Sequence, residues 1–156
     1  MKKKFFLLAA VLALVDQALK SLVRLYPEGY VILSAPPLVQ LDRTTNTGAA
    51  FSMLSSKTML IAVMSLALMT VLCVLLIRST SNSRLFYISL AGLIGGGIGN
   101  LIDRLIWGGV TDYIRLLFVR FPIFNFADIC ITISVVILFV LICFDHKMGK
   151  PEERHG

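Results

Sequence analysis

Charge is scarce in this sequence: only 15% of its 156 residues are Asp, Glu, Lys or Arg, against 57% hydrophobic residues and a mean hydropathy of +0.85. Soluble domains carry roughly 25% charged residues, so an ordinary water-soluble fold is excluded and an integral membrane protein is expected. Histidine is rarer still. His146 and His155 lie in the polar tail, which leaves no His cluster for a metal and no imidazole in the body of the chain to activate a Ser or Cys. The cysteines Cys73, Cys130 and Cys143 each stand alone in an apolar stretch, so neither a disulfide framework nor a metal knuckle is implied. A G-x-S-x-G elbow and an H-E-x-x-H helix are also missing. No cofactor or metal is expected. Without an internal repeat, a low-complexity tract or a linker, residues 1–156 read as a single membrane-embedded domain.

What the chain has in quantity is long apolar runs. Crossing about 30 Å of hydrocarbon as helix takes about 20 mostly apolar residues, and stretches near 4–25, 58–77, 85–102 and 126–144 qualify. The expected fold class is an all-α membrane protein of four transmembrane helices. The first run has the basic and apolar regions of a signal peptide, but it continues as DQALKSLVRLY without a small-x-small cleavage site, so an uncleaved helix is expected. Lys2, Lys3 and Lys4, with Arg78 and Arg84 in the short link RSTSNSR, place both termini in the cytoplasm. Arg24, Arg43, Lys57, Arg104, Arg115 and Arg120 then fall on the outer side, against the trend. The net charge of +6 is accounted for by flanks that meet anionic lipid rather than by nucleic acid.

Two outer segments, 26–57 and 103–125, connect the spans. In the first, YVIL and LVQL flank SAPP and read as two short strands of an amphipathic sheet resting on the membrane. TTNTGAAFSML follows, where Gly48, Ala49 and Ala50 permit close backbone approach. In the second, Gly108 and Gly109 mark a turn and VTDYIRLLFV is β-branched and aromatic enough to be a strand. Both segments are expected to be ordered and half buried. The third run carries two small-xxx-small registers, Gly92 with Gly96 and Gly95 with Gly99, which read as close helix packing. A phosphate loop is disfavoured, because the P-loop lysine and the preceding strand are missing.

Acids in or beside hydrocarbon cost at least a few kcal/mol each, so they are functional or tightly paired. Asp16, Asp42, Asp103, Asp112 and Asp128 all fall towards the outer half, which suggests a site near the outer leaflet. Asp16 and Lys20 are spaced to pair on one helix face. Asn100, Asp103 and Arg104 share a face at the end of span three and read as a clamp for the loops. Asp112 stands beyond the Gly-Gly turn with no cation within two positions on either side. Asp128 occupies the third position of a helix whose N-cap is Asn125; an acid there is stabilised by the dipole whatever else it does.

If the second outer segment folds back on itself, Asp112 and Asp128 meet. Carboxylates about 3 Å apart cannot both ionise, so one keeps its proton while the other stays anionic. That pairing suits amide hydrolysis without a metal or a nucleophilic side chain. One member takes a proton from attacking water and the other donates to the developing oxyanion. Which acid does which is not fixed by the sequence, although the helix N-terminus favours an anionic Asp128.

Taken in order, DQALK (Asp16 to Lys20), NTGAAF (Asn46 to Phe51), GGGIGNLIDR (Gly95 to Arg104), VTDYI (Val110 to Ile114) and FNFAD (Phe124 to Asp128) resemble the motifs of bacterial lipoprotein signal peptidase, or signal peptidase II. The resemblance implies an intramembrane aspartic endopeptidase that cuts lipidated prolipoproteins just before the diacylglyceryl cysteine. It implies catalytic roles for Asp112 and Asp128 and supporting roles for Asp16, Lys20, Asn46, Gly48, Asn100, Asp103, Arg104 and Asn125. Prolipoproteins and membrane lipids are the implied partners and the bacterial cytoplasmic membrane the implied location, and a monomer is expected. The alternative from another class is a small ion- or proton-coupled transporter, which predicts broken helices and a repeated half-sequence; neither is visible.

Overall fold

A computed structural model of the chain describes residues 2–48 and 58–148, with side chains in the last helix described to Cys143. Ala49 and Ala50 lie outside the described residues. Four helices, α1 (Lys3–Val23), α2 (Thr58–Arg78), α3 (Arg84–Trp107) and α4 (Phe126–Met148), are long and apolar enough to cross a membrane. Strands β1 (Val31–Ala35) and β2 (Val39–Asn46) follow α1, and β3 (Val110–Leu116) follows α3. The fold is therefore helical with a small antiparallel sheet, in the order β1-β2-β3.

Helix α3 is the centre of the bundle. Its most apolar stretch is 67% buried, whereas the corresponding stretches of α1, α2 and α4 are 28%, 28% and 11% buried and turn apolar side chains outward. Lipid is as apolar as leucine, so close backbone approach rather than hydrophobic burial must hold such helices together. The glycines supply it on three faces. A Cβ on Gly95 would lie 2.7 Å from the Ala9 carbonyl of α1, and one on Gly96 would lie 2.6 Å from the Ala127 carbonyl of α4. Gly97 faces the Met69 side chain of α2, Gly92 faces Ser134 of α4, and Gly99 faces the Asp16 carboxylate. The two glycine registers thus pack α3 between α1 and α4.

The third helix runs to Trp107, past the expected limit at Ile102, so Asp103 and Arg104 are helical residues rather than the start of a loop. Hydropathy drops at these charges, but their partners lie inside the protein and the helix continues. It stops at Gly108, whose φ of 70° places it in the left-handed region. Helix α4 likewise continues to Met148, into the stretch read as polar tail.

The sheet covers one end of the bundle. Residues 110–113 of β3 are buried, while β1 exposes four of its five residues, so the first outer segment is only partly covered at its edge strand, contrary to expectation. Ile114 bridges Phe124 through hydrogen bonds in both directions, so the chain beyond β3 turns back alongside it. That return carries Asn125 and the start of α4 to the side of Asp112.

Candidate active site

Antiparallel pairing of β2 with β3 sets Thr44 opposite Asp112 and Asn46 opposite Val110. Asn46 and Asp112 are therefore diagonal neighbours, within reach of a polar side chain. The Asn46 Nδ2 donates to Asp112 Oδ2 at 3.0 Å, and its Oδ1 accepts from the Gly48 N–H at 3.0 Å. This local turn fixes the amide so that its donor faces the carboxyl. From the returning segment, Asn125 Nδ2 donates to Asp112 Oδ1 at 2.6 Å. Asp112 is 3% exposed, and burial pushes its pKa up to about 6. The Asn46 hydrogen bond opposes that rise, the charge of Asp128 adds to it, and the Asn125 hydrogen bond and Lys20 oppose it.

Asp128 is held by a reciprocal cap. Its N–H donates to Asn125 Oδ1 at 3.0 Å, and its Oδ2 accepts from the Asn125 N–H at 3.2 Å. Asn100 Nδ2 reaches its other oxygen at 2.8 Å. The neighbouring helix N–H groups are satisfied from elsewhere: Phe126 donates to the Tyr113 hydroxyl at 3.3 Å and Ala127 to Asp16 Oδ1 at 3.0 Å. Three elements thus cap the first turn of α4 and fix the acid it carries.

Behind the acids lies a buried charge network. Lys20 Nζ meets Asp16 Oδ2 at 2.8 Å, Asn100 Oδ1 at 2.8 Å and Asp103 Oδ2 at 3.4 Å, so all three ammonium protons have acceptors at 0% exposure. Asp103 also accepts from the Thr111 N–H at 2.8 Å, Gln17 Nε2 at 2.9 Å and Arg24 Nη2 at 2.5 Å. Isolated ions at this depth are prohibitive, whereas a fully hydrogen-bonded set is tolerated and rigid. Asn100 links the layers: its oxygen accepts from Lys20 and from Asn125 Nδ2, and its amide donates to Asp128.

The expected shared face of Asn100, Asp103 and Arg104 divides. Asp103 turns to α1 and Thr111, Asn100 to the two acids through amides, and Arg104 to the Gly48 carbonyl at 3.3 Å. Asp42 stands apart, paired with Arg115 at 2.5 Å. The structure brings together Asp16, Lys20, Asn46, Gly48, Asn100, Asp103, Arg104, Asp112, Asn125 and Asp128 in one connected network. Sequence reasoning assigned no role to Gln17, Thr111 or Tyr113 and counted Arg24 only as a topological exception. Gln17 stood inside the DQALK motif, which was the one available signal; the partners of the others lie far along the chain.

Asp112, Asp128, Asn46, Asn100 and Arg104 form the polar wall of a cavity of about 530 Å³, and Leu116, Phe121, Phe124 and Ile133 belong to its apolar wall. That volume lies in the range of sites for ligands or peptide segments. Fold and cavity define a polytopic membrane protein in which two carboxyl groups meet at one mostly apolar cavity, the class to which membrane-embedded aspartic proteases belong. A family model described as Signal peptidase (SPase) II matches residues 8–144. Lipoprotein signal peptidase of Enterococcus faecalis is 34% identical over 97% of this chain and 94% of its own length. That of Streptococcus pneumoniae is 38% identical over 96% of this chain and 100% of its own. A solved bacterial membrane enzyme superposes with a TM-score of 0.89 at 27% identity, covering 97% of this chain and 94% of that one. A second, at 26% identity, gives 0.80 over 90% and 92%. The chain belongs to the signal peptidase II family: it is a multi-pass bacterial membrane protease whose substrates are prolipoproteins.

Proposed function

We propose that Asp112 and Asp128 are the catalytic pair of an endopeptidase that cuts diacylglyceryl-modified prolipoproteins immediately before the lipidated cysteine. The observation that carries this reading is the amide relay. Asn46 and Asn125 hold Asp112, Asn100 and the Asn125 backbone hold Asp128, and both carboxyls line one cavity. Burial makes Asp112 the better proton holder, since its pKa is raised to about 6. Asp128, in the first turn of α4, takes the part of the base.

In the reaction, Asp128 accepts a proton as water attacks the scissile carbonyl, and Asp112 donates its proton to the carbonyl oxygen. The C–N bond of the tetrahedral intermediate then breaks as Asp128 returns its proton to the departing nitrogen and Asp112 recovers its own from the new hydroxyl. Atoms and charges balance without an external group. Asp16, Lys20 and Asp103 hold the frame, while Arg104 and Gly48 tie the first outer segment to α3. The protein acts as a monomer with both termini in the cytoplasm and the site near the outer leaflet. There the acyl chains of the substrate remain in lipid and the peptide is held at the carboxyls, which lowers the entropic part of the barrier. Family membership displaces the transporter alternative.

The test is purified protein in detergent with two precursors, one carrying diacylglyceryl cysteine and one with that cysteine unmodified, scored by product mass. Cleavage of the lipidated precursor alone, at the bond before cysteine, is expected, and chelator leaves the rate unchanged. Equal cleavage of both precursors, or a cut elsewhere, contradicts the reading.

A further inference from the structure

The arginines expected on the outer side have partners that explain them, with one exception. Arg24 bonds Asp103 and Thr111, Arg43 bonds the Arg24 and Tyr26 carbonyls, Arg104 bonds Asn100 and Gly48, and Arg115 bonds Asp42. Arg120 is exposed and has no hydrogen bond or ion pair with any described residue. It lies on the turn between β3 and the returning segment, among Leu117, Phe118, Val119 and Phe121, of which Phe118 is 65% and Phe121 52% exposed. Arg115 and Arg120 line a shallow, open groove on the surface, which shares Leu116, Phe121 and Pro122 with the catalytic cavity.

We propose that this lip binds the phosphate of an anionic phospholipid beside the mouth of the site, with Arg120 as the main ligand and Arg115 assisting. An aromatic and aliphatic tip flanked by guanidinium groups suits the boundary of acyl chains and headgroups, where long cationic side chains keep their charge at the phosphates. Arginine matches a phosphate through two parallel N–H donors, and none of those of Arg120 is taken by a described residue. Arg115 has one face committed to Asp42, yet its side chain is 41% exposed. Because the groove shares those three residues with the catalytic cavity, a lipid held here would border that cavity.

Binding is read without substrate, so it stands or falls separately from the proposed catalytic chemistry. The full chain is placed in nanodiscs of phosphatidylcholine with a minority of phosphatidylglycerol, and retained lipid is counted by native mass spectrometry. Arg120→Gln, an exposed change that leaves the network intact, is expected to lower the phosphatidylglycerol-to-phosphatidylcholine ratio about five-fold, the effect of one basic residue at an anionic surface. Arg120→Lys should retain part of the preference. An unchanged ratio in Arg120→Gln overturns the proposal. Displacement by equimolar inorganic phosphate would instead make this a free-anion site. If retention is unchanged but Arg120→Gln slows cleavage of precursors with acidic residues after the cysteine, the lip reads peptide and not lipid, which also overturns it.

Discussion

The Asp112 carboxyl is enclosed by β2, β3 and the returning segment, and its pKa near 6 follows first from that burial. Since the raised value keeps the proton on Asp112 below about pH 6, and the proposed step needs that proton, kcat/KM is expected to fall about ten-fold per pH unit above about 6. A pH profile on the lipidated precursor checks this; activity that rises through that range would reverse the assignment of acid and base. Tyr113 adds a second residue-scale expectation. Its hydroxyl, pushed by burial to a pKa of about 12, stays protonated and accepts from the first N–H of α4. Tyr113→Phe removes that acceptor and should lower kcat by about three- to ten-fold, for a hydrogen bond of about 1 kcal/mol, while KM stays within about two-fold. Asp112 could be singled out in the sequence because an acid among apolar strand residues stands out; its burial between Asn46 and Asn125 could not. Tyr113 was not legible, because a tyrosine in such a strand reads as packing until its partner at Phe126 is known.

Among the elements, α3 does most of the positioning. Its glycine registers were legible as packing surfaces, but not which register faces which helix. Gly95 and Gly99 meet α1, and Gly96 meets the first turn of α4, directly before Asp128. Gly96→Ala would place a methyl 2.6 Å from the backbone carbonyl of Ala127, so α4 must shift. That change should lower the melting temperature in detergent and reduce kcat at least about ten-fold, since misplacement of about 1 Å costs on the order of 100-fold. Gly97→Ala meets only the flexible end of Met69, so its kcat should stay within about two-fold of the parent, the residual packing cost being on the order of 1 kcal/mol. Equal loss in both variants would remove the special place of the α3 to α4 contact. The ends of elements were less legible than their existence. Hydropathy stops at Asp103, but ion pairs to Lys20 and Arg24 let α3 continue to Trp107 before Gly108 ends it.

At the scale of the molecule, four helices long and apolar enough to cross a membrane form a bundle, and a three-stranded sheet with a returning segment closes one end of it. The spans, the three strands and the motif order could be read before the fold was known, because hydropathy, strand composition and turn residues are local signals. The relay of Asn46, Asn125 and Asn100 could not, since each bond joins residues from different elements. The central claim is that Asp112 and Asp128 act as one unit. It is tested most directly by Asp112→Asn and Asp128→Asn, purified in parallel, checked for an unchanged elution profile, and assayed by gel shift with diacylglyceryl-modified precursor. The account predicts that each variant inserts and folds yet gives no detectable product; appreciable turnover by either one would contradict it.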